Sequence, residues 1–107
     1  MSKTIQFSLQ KLGRDKVTER FTQKGITFAY KLLSGEELTK ALKAKLVEEA
    51  QEIYAAQTLQ ELEEEIADLQ EVLAVLIQKA DLCEMRISEA RAQKCEKFGS
   101  LLKGGLL

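Results

Sequence analysis

The 107-residue chain contains no proline and no histidine, and each absence excludes a class of protein. Without proline, and with aromatic residues at only 6%, long uninterrupted helices are favoured over a β-sandwich or barrel. Without histidine, the chain cannot form a Ser-His-Asp or Cys-His catalytic group, or the Glu-x-x-His motif of di-iron bundles. Metal binding through oxygen ligands alone remains available.

Cysteines, net charge and long apolar runs are also scarce. Cys83 and Cys95 lack the paired spacing of a zinc site, so we expect free thiols in a reducing compartment. Sixteen basic and 17 acidic residues leave a formal net charge of −1, too small to recruit nucleic acid. The polar N-terminus and the lack of a run of ~20 apolar residues predict neither a signal peptide nor a membrane span. We therefore expect a cytoplasmic protein with no nucleic-acid or membrane partner.

A hydrophobic content of 45% with 31% charged residues predicts a single all-α domain over residues 1–107. Helix-start signals of the form Ser/Thr/Asp-x-x-Glu begin at Ser34, Thr58 and Asp81, about 23 residues apart. The domain is thus predicted to be a helical bundle, with long helices near 35–56, 59–80 and 82–97.

The two ends of the chain are predicted to be less regular. Residues 1–33 form an N-terminal arm and connector, with a short helix over 16–24 that Asp15 caps and Gly25 ends. The tail, residues 99–107, is rich in glycine and leucine. Its apolar side chains are expected to dock on the body of the protein or on a second subunit.

Helical periodicity predicts more apolar surface than one chain can cover. In the first long helix, an apolar stripe runs through Leu42 and Leu46, and Glu49 interrupts it. The second long helix carries two apolar stripes, the main one through Ile66 and Leu73. We therefore expect a second copy to complete the core, giving a homodimer or homotetramer.

Two pairs of acidic residues intrude on these apolar faces. Glu49 and Glu52 lie three residues apart on the first long helix, as Glu65 and Asp68 do on the second. A helical hairpin turning near 57–58 would bring the two pairs to the same height. Unpaired charge is costly to bury, so a cation is expected between them, and Mg²⁺ prefers such ligands. The pattern predicts an Mg²⁺ site, with Mn²⁺ as a possible substitute, that serves phosphate chemistry.

Simpler interpretations accompany each of these features. Acidic residues are common on solvated helix faces, and Glu48 falls on the outward side of the first stripe. A basic cluster at Lys11, Arg14 and Lys16 is typical of an exposed loop. Basic residues late in the third long helix also complement the helix dipole.

The motifs together resemble the MazG-like all-α nucleoside triphosphate pyrophosphohydrolases, in particular the phosphoribosyl-ATP pyrophosphohydrolase-like subset. The resemblance covers about residues 11–100. It is carried by four segments of this sequence: Lys11-Leu12-Gly13-Arg14-Asp15-Lys16-Val17, Leu33-Ser34-Gly35-Glu36-Glu37-Leu38, Leu42-Lys43-Ala44-Lys45-Leu46-Val47-Glu48-Glu49-Ala50-Gln51-Glu52 and Glu64-Glu65-Ile66-Ala67-Asp68. The order, the spacing and the flanking apolar residues of these acidic motifs all agree with that family.

The resemblance implies a role for each group of charged residues. It implies that the two acidic pairs bind Mg²⁺. It also implies that basic residues at both ends of the domain bind substrate phosphates: Lys11, Arg14, Lys16, Lys94 and Lys97. One departure is that Lys97 is followed by Phe98 where relatives usually have an arginine.

The hypothesis is Mg²⁺-dependent hydrolysis of a nucleoside triphosphate to the monophosphate and pyrophosphate, serving in the clearance of non-canonical nucleotides. Glu48 or Glu52 would orient or deprotonate the attacking water. A second enzymatic hypothesis is phosphoribosyl-ATP pyrophosphohydrolase. A third is a non-catalytic helical module that binds nucleotide and metal, which the missing arginine favours.

Overall fold

The computed structural model describes residues 3–4 and 12–107. Within them the chain forms four helices and one minimal sheet. The helices are α1 (Asp15–Gln23), α2 (Gly35–Ala55), α3 (Leu59–Lys79) and α4 (Glu84–Phe98). Two short strands, β1 (Lys3–Thr4) and β2 (Ile26–Thr27), pair in parallel, with Lys3 opposite Ile26 and Thr4 opposite Thr27. The predicted all-α class is confirmed, and the bounds of the long helices were predicted to within about two residues.

Helices α2 and α3 form the structural centre of the chain. A three-residue connection, 56–58, joins them, so that they fold back on each other as a helical hairpin, the most extensive helix contact in the described part of the chain. Their contact buries Leu42 of α2 against Val72 and Leu76 of α3. Half-buried apolar side chains surround these three: Leu12, Leu38, Leu46, Val75 and Ala80.

The connection between α2 and α3 has well-formed capping at the start of α3. The hydroxyl Oγ1 of Thr58 accepts a hydrogen bond from the backbone N–H of Glu61 at 3.0 Å. The Glu61 carboxylate in turn accepts one from the backbone N–H of Gln57, also at 3.0 Å. This reciprocal arrangement satisfies backbone donors that a helix start otherwise leaves unpaired.

The other three predicted caps do not form. Asp15 is the first residue of α1, and Arg14 takes the N-cap position without a side-chain capping hydrogen bond. The side chain of Ser34 makes no capping hydrogen bond, and Glu37 pairs with Lys31 at 3.3 Å instead. Asp81 is not a cap: it lies in the turn before α4 with a positive φ of 56°, and Cys83 takes the N-cap position. The predicted start at residue 82 was therefore two residues early, because the turn at Asp81 uses residues assigned to the helix.

The sequence predicts two apolar stripes on α3 and does not say which of them packs against α2. Ile66 and Leu73, from the stripe with more apolar residues, are 39% and 44% exposed. The face buried against α2 instead contains Val72 and Leu76, which lie on the same side of α3 as the acidic pair Glu65 and Asp68. Periodicity identifies two apolar faces on α3 but does not rank them.

Helix α4 and the tail do not join a four-helix bundle within one chain. No residue from 81 to 107 is buried, and α4 makes no extensive contact with α2 or α3. The tail leucines Leu101, Leu102 and Leu106 are all more than nine-tenths exposed. Of the two expected docking surfaces for the tail, the body of its own chain is therefore excluded, and docking on a second subunit stays a prediction.

Candidate metal centre

Three carboxylates from α2 and α3 meet in the half of the hairpin that is nearer its turn. One carboxylate oxygen from each of Glu49, Glu65 and Asp68 can be chosen so that all three lie within 4.8 Å of one another. Glu49 comes from α2 and the other two from successive turns of α3. The hairpin turn at 56–58 therefore brings the two acidic pairs to the same height, as the spacing predicted.

Glu49 lies at the base of this acidic cluster. It is only 5% exposed, as its position within the apolar stripe of α2 predicted. Its oxygen Oε2 is buried without a hydrogen-bond partner, and the same is true of Oε2 of Glu65. Two buried carboxylate oxygens that lack partners are costly, because each loses its hydration without compensation.

Mutual repulsion and burial perturb the protonation of the cluster. The pKa of Glu49 is raised above its usual 4.5, first by burial and then by the neighbouring charge of Glu52. The pKa of Glu65 is raised to about 7, chiefly because it shares a hydrogen bond with Glu52 and also because it is desolvated. Glu52 is thus part of the cluster through Glu65, although its own side chain is exposed.

Two basic side chains contact the acidic cluster. Lys45 lies one turn before Glu49 on α2, with its Nζ 3.7 Å from Oε1 of Glu49 and 3.6 Å from Oε1 of Glu48. Arg14, from the segment before α1, donates from Nη2 to Oδ1 of Asp68 at 2.7 Å. The sequence analysis identified Arg14 but missed Lys45, although the Lys45–Glu49 spacing of four residues was a usable signal.

The remaining predicted site residues are placed differently. The helical wheel predicted that Glu48 faces outward. In the structure Glu48 is half-buried beside Lys45. Lys16 is exposed on α1, and Lys11 lies outside the described residues. Lys94 and Lys97 are on α4, and in the described part of the chain no ion pair joins them to the cluster.

A small cavity of about 240 Å³ adjoins the cluster on the side of the hairpin turn. Its walls are formed by Glu52, Ala55, Ala56, Glu61 and Glu65. Sites for small organic ligands usually enclose about 300–1,000 Å³. This cavity is therefore too small and open to hold a whole nucleotide on its own.

No family model, curated protein or solved structure matches this chain. The proposed relationship to MazG-like enzymes therefore depends on the sequence motifs alone. Among the described residues, no helix combines the length and the apolar character needed to cross a bilayer.

The donor set suits a hard divalent cation. Carboxylate oxygens are the ligands that Mg²⁺ and Mn²⁺ prefer, and one or two carboxylates leave coordination positions for water and phosphate oxygens. The two buried oxygens of Glu49 and Glu65 that lack hydrogen-bond partners are the observation that fits such an ion. A cation bound between Glu49 and Glu65 would compensate for the lost hydration of these carboxylates.

Proposed function

We propose that the chain is a Mg²⁺-dependent nucleoside triphosphate pyrophosphohydrolase of the MazG-like type, which releases the monophosphate and pyrophosphate. The observation that carries the proposal is the meeting of Glu49, Glu65 and Asp68 around two buried, unpartnered oxygens. An acidic cluster on a helix surface is common, but one with an orphaned carboxylate at its base is not.

The residues of the acidic cluster would have different roles in the reaction. The metal would be held by Glu49, Glu65 and Asp68. Glu52 would be a fourth ligand or would lie beside the bound metal. The bound metal would supply charge neutralisation and a water of lowered pKa. Glu52, or Glu48 beside Lys45, would orient that water and accept its proton. Arg14 and Lys45 are the cations already at the cluster and would contact the phosphates.

We further propose that the functional form is a homodimer or homotetramer. The accessible surface of the chain is 10,061 Å², against about 6,000 Å² for a compact monomer of this mass. Its exposed apolar residues include Ile66 and Leu73 on α3 and Ile87 on α4. A second copy that covers these faces would also supply the walls that the 240 Å³ cavity lacks.

Pyrophosphate release from a panel of canonical and damaged triphosphates, with Mg²⁺ or Mn²⁺, tests the enzymatic proposal. We expect turnover that EDTA abolishes and that Asp68→Asn reduces by at least about tenfold. Phosphoribosyl-ATP belongs in the same panel, since it would use the same metal site. No turnover at high enzyme concentration with every substrate would reject hydrolysis.

The non-catalytic alternative is favoured by one observation, namely that Lys94 and Lys97 do not contact the cluster within the described chain. Calorimetry with a triphosphate and Mg²⁺ distinguishes the two functions. Binding without hydrolysis would identify a nucleotide-binding module. Binding followed by pyrophosphate release would identify the enzyme.

A further inference from the structure

The shortest ion pair in the described part of the chain connects the N-terminal segment to the acidic cluster. Arg14 and Asp68 are 54 residues apart in sequence, and their side chains meet at 2.7 Å. This contact places a guanidinium cation on one of the three carboxylates that the proposed metal would need. Arg14 and a metal ion would therefore compete for Asp68.

The exposed fractions of the side chains show which of the two cations, Arg14 or Lys45, can dissociate from the acidic cluster. The side chain of Asp68 is 41% exposed and that of Arg14 is 62% exposed, so their pair lies at the rim of the cluster. Lys45 is only 22% exposed and lies on the same helix as Glu49. An exposed ion pair is weak, about 0.2–1 kcal/mol, and a divalent ion held by several carboxylates is favoured over it.

A neighbouring residue keeps Arg14 close to the cluster after the ion pair opens. Leu12, two residues earlier, packs against the buried residues of the α2–α3 hairpin. That apolar contact does not depend on the charge of Asp68. A released Arg14 side chain would thus remain within reach of a phosphate bound at the metal.

We propose that Arg14 is the resident counter-cation of Asp68 in the metal-free protein, and that the metal displaces it and frees it to bind substrate phosphate. This inference rests on the proposed metal site and adds an exchange step to it. Metal loading would then switch Arg14 from a carboxylate of the protein to the substrate. Nucleotide would be bound productively only after the metal is in place.

Titration with Mn²⁺ alone, followed by electron paramagnetic resonance, tests the exchange. Arg14→Ala should tighten Mn²⁺ binding by about two- to fivefold, because the competitor is removed. The matched control is Arg20→Ala, which removes a positive charge from exposed surface on α1 and should leave the affinity unchanged.

A double-mutant cycle separates direct competition from a general effect of charge. In an Asp68→Asn background Arg14 has no carboxylate to compete for, so Arg14→Ala should no longer tighten Mn²⁺ binding. An equal effect of Arg14→Ala in both backgrounds would overturn the exchange. So would unchanged Mn²⁺ affinity of Arg14→Ala in the chain that retains Asp68.

Inorganic tripolyphosphate with saturating Mg²⁺ tests the second half of the proposal. Arg14→Ala should weaken its binding by about tenfold or more, the size of a lost charge-assisted hydrogen bond. The opposite signs for metal alone and for phosphate are the signature of exchange, since mere loss of an anchor would weaken both. If the unmutated protein bound no Mn²⁺, the proposed metal site would be disproved. If it bound Mn²⁺ but the Arg14→Ala effects were absent, only the proposed exchange of Arg14 would be disproved.

Discussion

At the scale of single residues, the most informative feature of the molecule is the buried carboxylate of Glu49. Glu49 is 5% exposed and one of its oxygens has no hydrogen-bond partner. Lys45 neutralises part of that charge from 3.7 Å, but burial, together with the nearby acids Glu52 and Asp68, raises the pKa of Glu49. Such a group destabilises the metal-free protein, so its presence is best explained by a ligand.

Replacing Glu49 by glutamine should separate metal binding from folding. Glu49→Gln removes the innermost ligand and should weaken Mn²⁺ binding by at least about 100-fold, beyond the ~10–100-fold cost of losing an outer-sphere partner. The thermal midpoint of the metal-free protein should not fall, since a buried charge is removed. Glu63→Gln, an exposed change of the same charge on α3, is the control and should leave binding unaltered. Equal metal affinity of Glu49→Gln and the unmutated protein would contradict the assignment.

The raised pKa of Glu65 makes stability depend on pH in an unusual direction. Its pKa is about 7 in the folded chain and about 4.5 when unperturbed. The folded state therefore binds more protons than the unfolded state between these values. Since stability falls with rising pH wherever the folded state binds more protons, the metal-free protein should lose stability from pH 4.5 to 7. The raised pKa of Glu49 acts in the same direction.

Urea unfolding in EDTA at several pH values measures this effect. The decline between pH 5 and 7.5 should be smaller in Glu65→Gln, which cannot ionise. Mn²⁺ affinity should rise over the same range, because the metal must displace the proton that Glu65 shares with Glu52. Identical stability profiles for Glu65→Gln and the unmutated protein would show that Glu65 titrates normally.

At the scale of secondary-structure elements, the α2–α3 hairpin carries the site and its turn sets the height at which the acids meet. The cap at Thr58 fixes where α3 begins, and therefore which residues of α3 face Glu49. Thr58→Ala should destabilise the protein by about 1 kcal/mol, as loss of a capping hydrogen bond usually does.

Chemical unfolding with a matched control checks the role of this cap. Ser34→Ala changes the N-cap residue of α2, whose side chain makes no capping hydrogen bond, and should cost well under 0.5 kcal/mol. Equal losses for Thr58→Ala and Ser34→Ala would contradict the difference between the two caps.

The sequence predicted the hairpin better than the arrangement around it. The start signal at Thr58 and the stripe through Leu42 and Glu49 are local features, and local spacing determines them. The turn at Asp81 was missed because aspartate is favoured both at helix N-caps and in the left-handed region of φ. Its presence therefore does not distinguish a cap from such a turn. Lys45 was missed as a site residue although its spacing of four residues from Glu49 places the two side chains on one face of α2.

Helix α4 could not be placed from sequence for a different reason. Periodicity shows that a helix has an apolar face but not which chain covers it. The groove between α4 and the tail, about 720 Å³, includes Ile87, Lys94, Cys95 and Leu101 and is open to solvent in the single chain. A helix of 15 residues with few tertiary contacts is marginal in water, and the proposed second copy would stabilise α4 by covering this groove.

Thiol reactivity reports whether a second copy covers this groove. In a Cys83→Ser variant the only remaining thiol is Cys95, which is exposed in the single chain. Its reaction with a thiol reagent should slow as protein concentration rises, because association buries the groove. Cys95→Ser, which leaves the exposed Cys83 at the start of α4, is the comparison. A rate for Cys95 that matches a free thiol at every concentration would argue against burial of the groove in an oligomer.

At the scale of the whole molecule, the single chain is too extended for a stable domain. Its radius of gyration is 18.1 Å, against about 13 Å for a compact chain of this length. Its dimensions are 61 × 35 × 21 Å. One chain exposes about 4,000 Å² more than a compact monomer of its mass, which exceeds its half-share of the roughly 2,000–5,000 Å² that an obligate homodimer buries over both partners. Light scattering should therefore give a mass at least twice the 12.0 kDa of the chain.

The proposed function requires a divalent cation bound between α2 and α3. Anomalous diffraction from crystals soaked in Mn²⁺ measures this without any assumption about substrate. We expect a peak among Glu49, Glu65 and Asp68, with the Arg14 side chain moved off Asp68. A difference map with no peak there, and with Arg14 still paired to Asp68 at saturating Mn²⁺, would contradict the proposal.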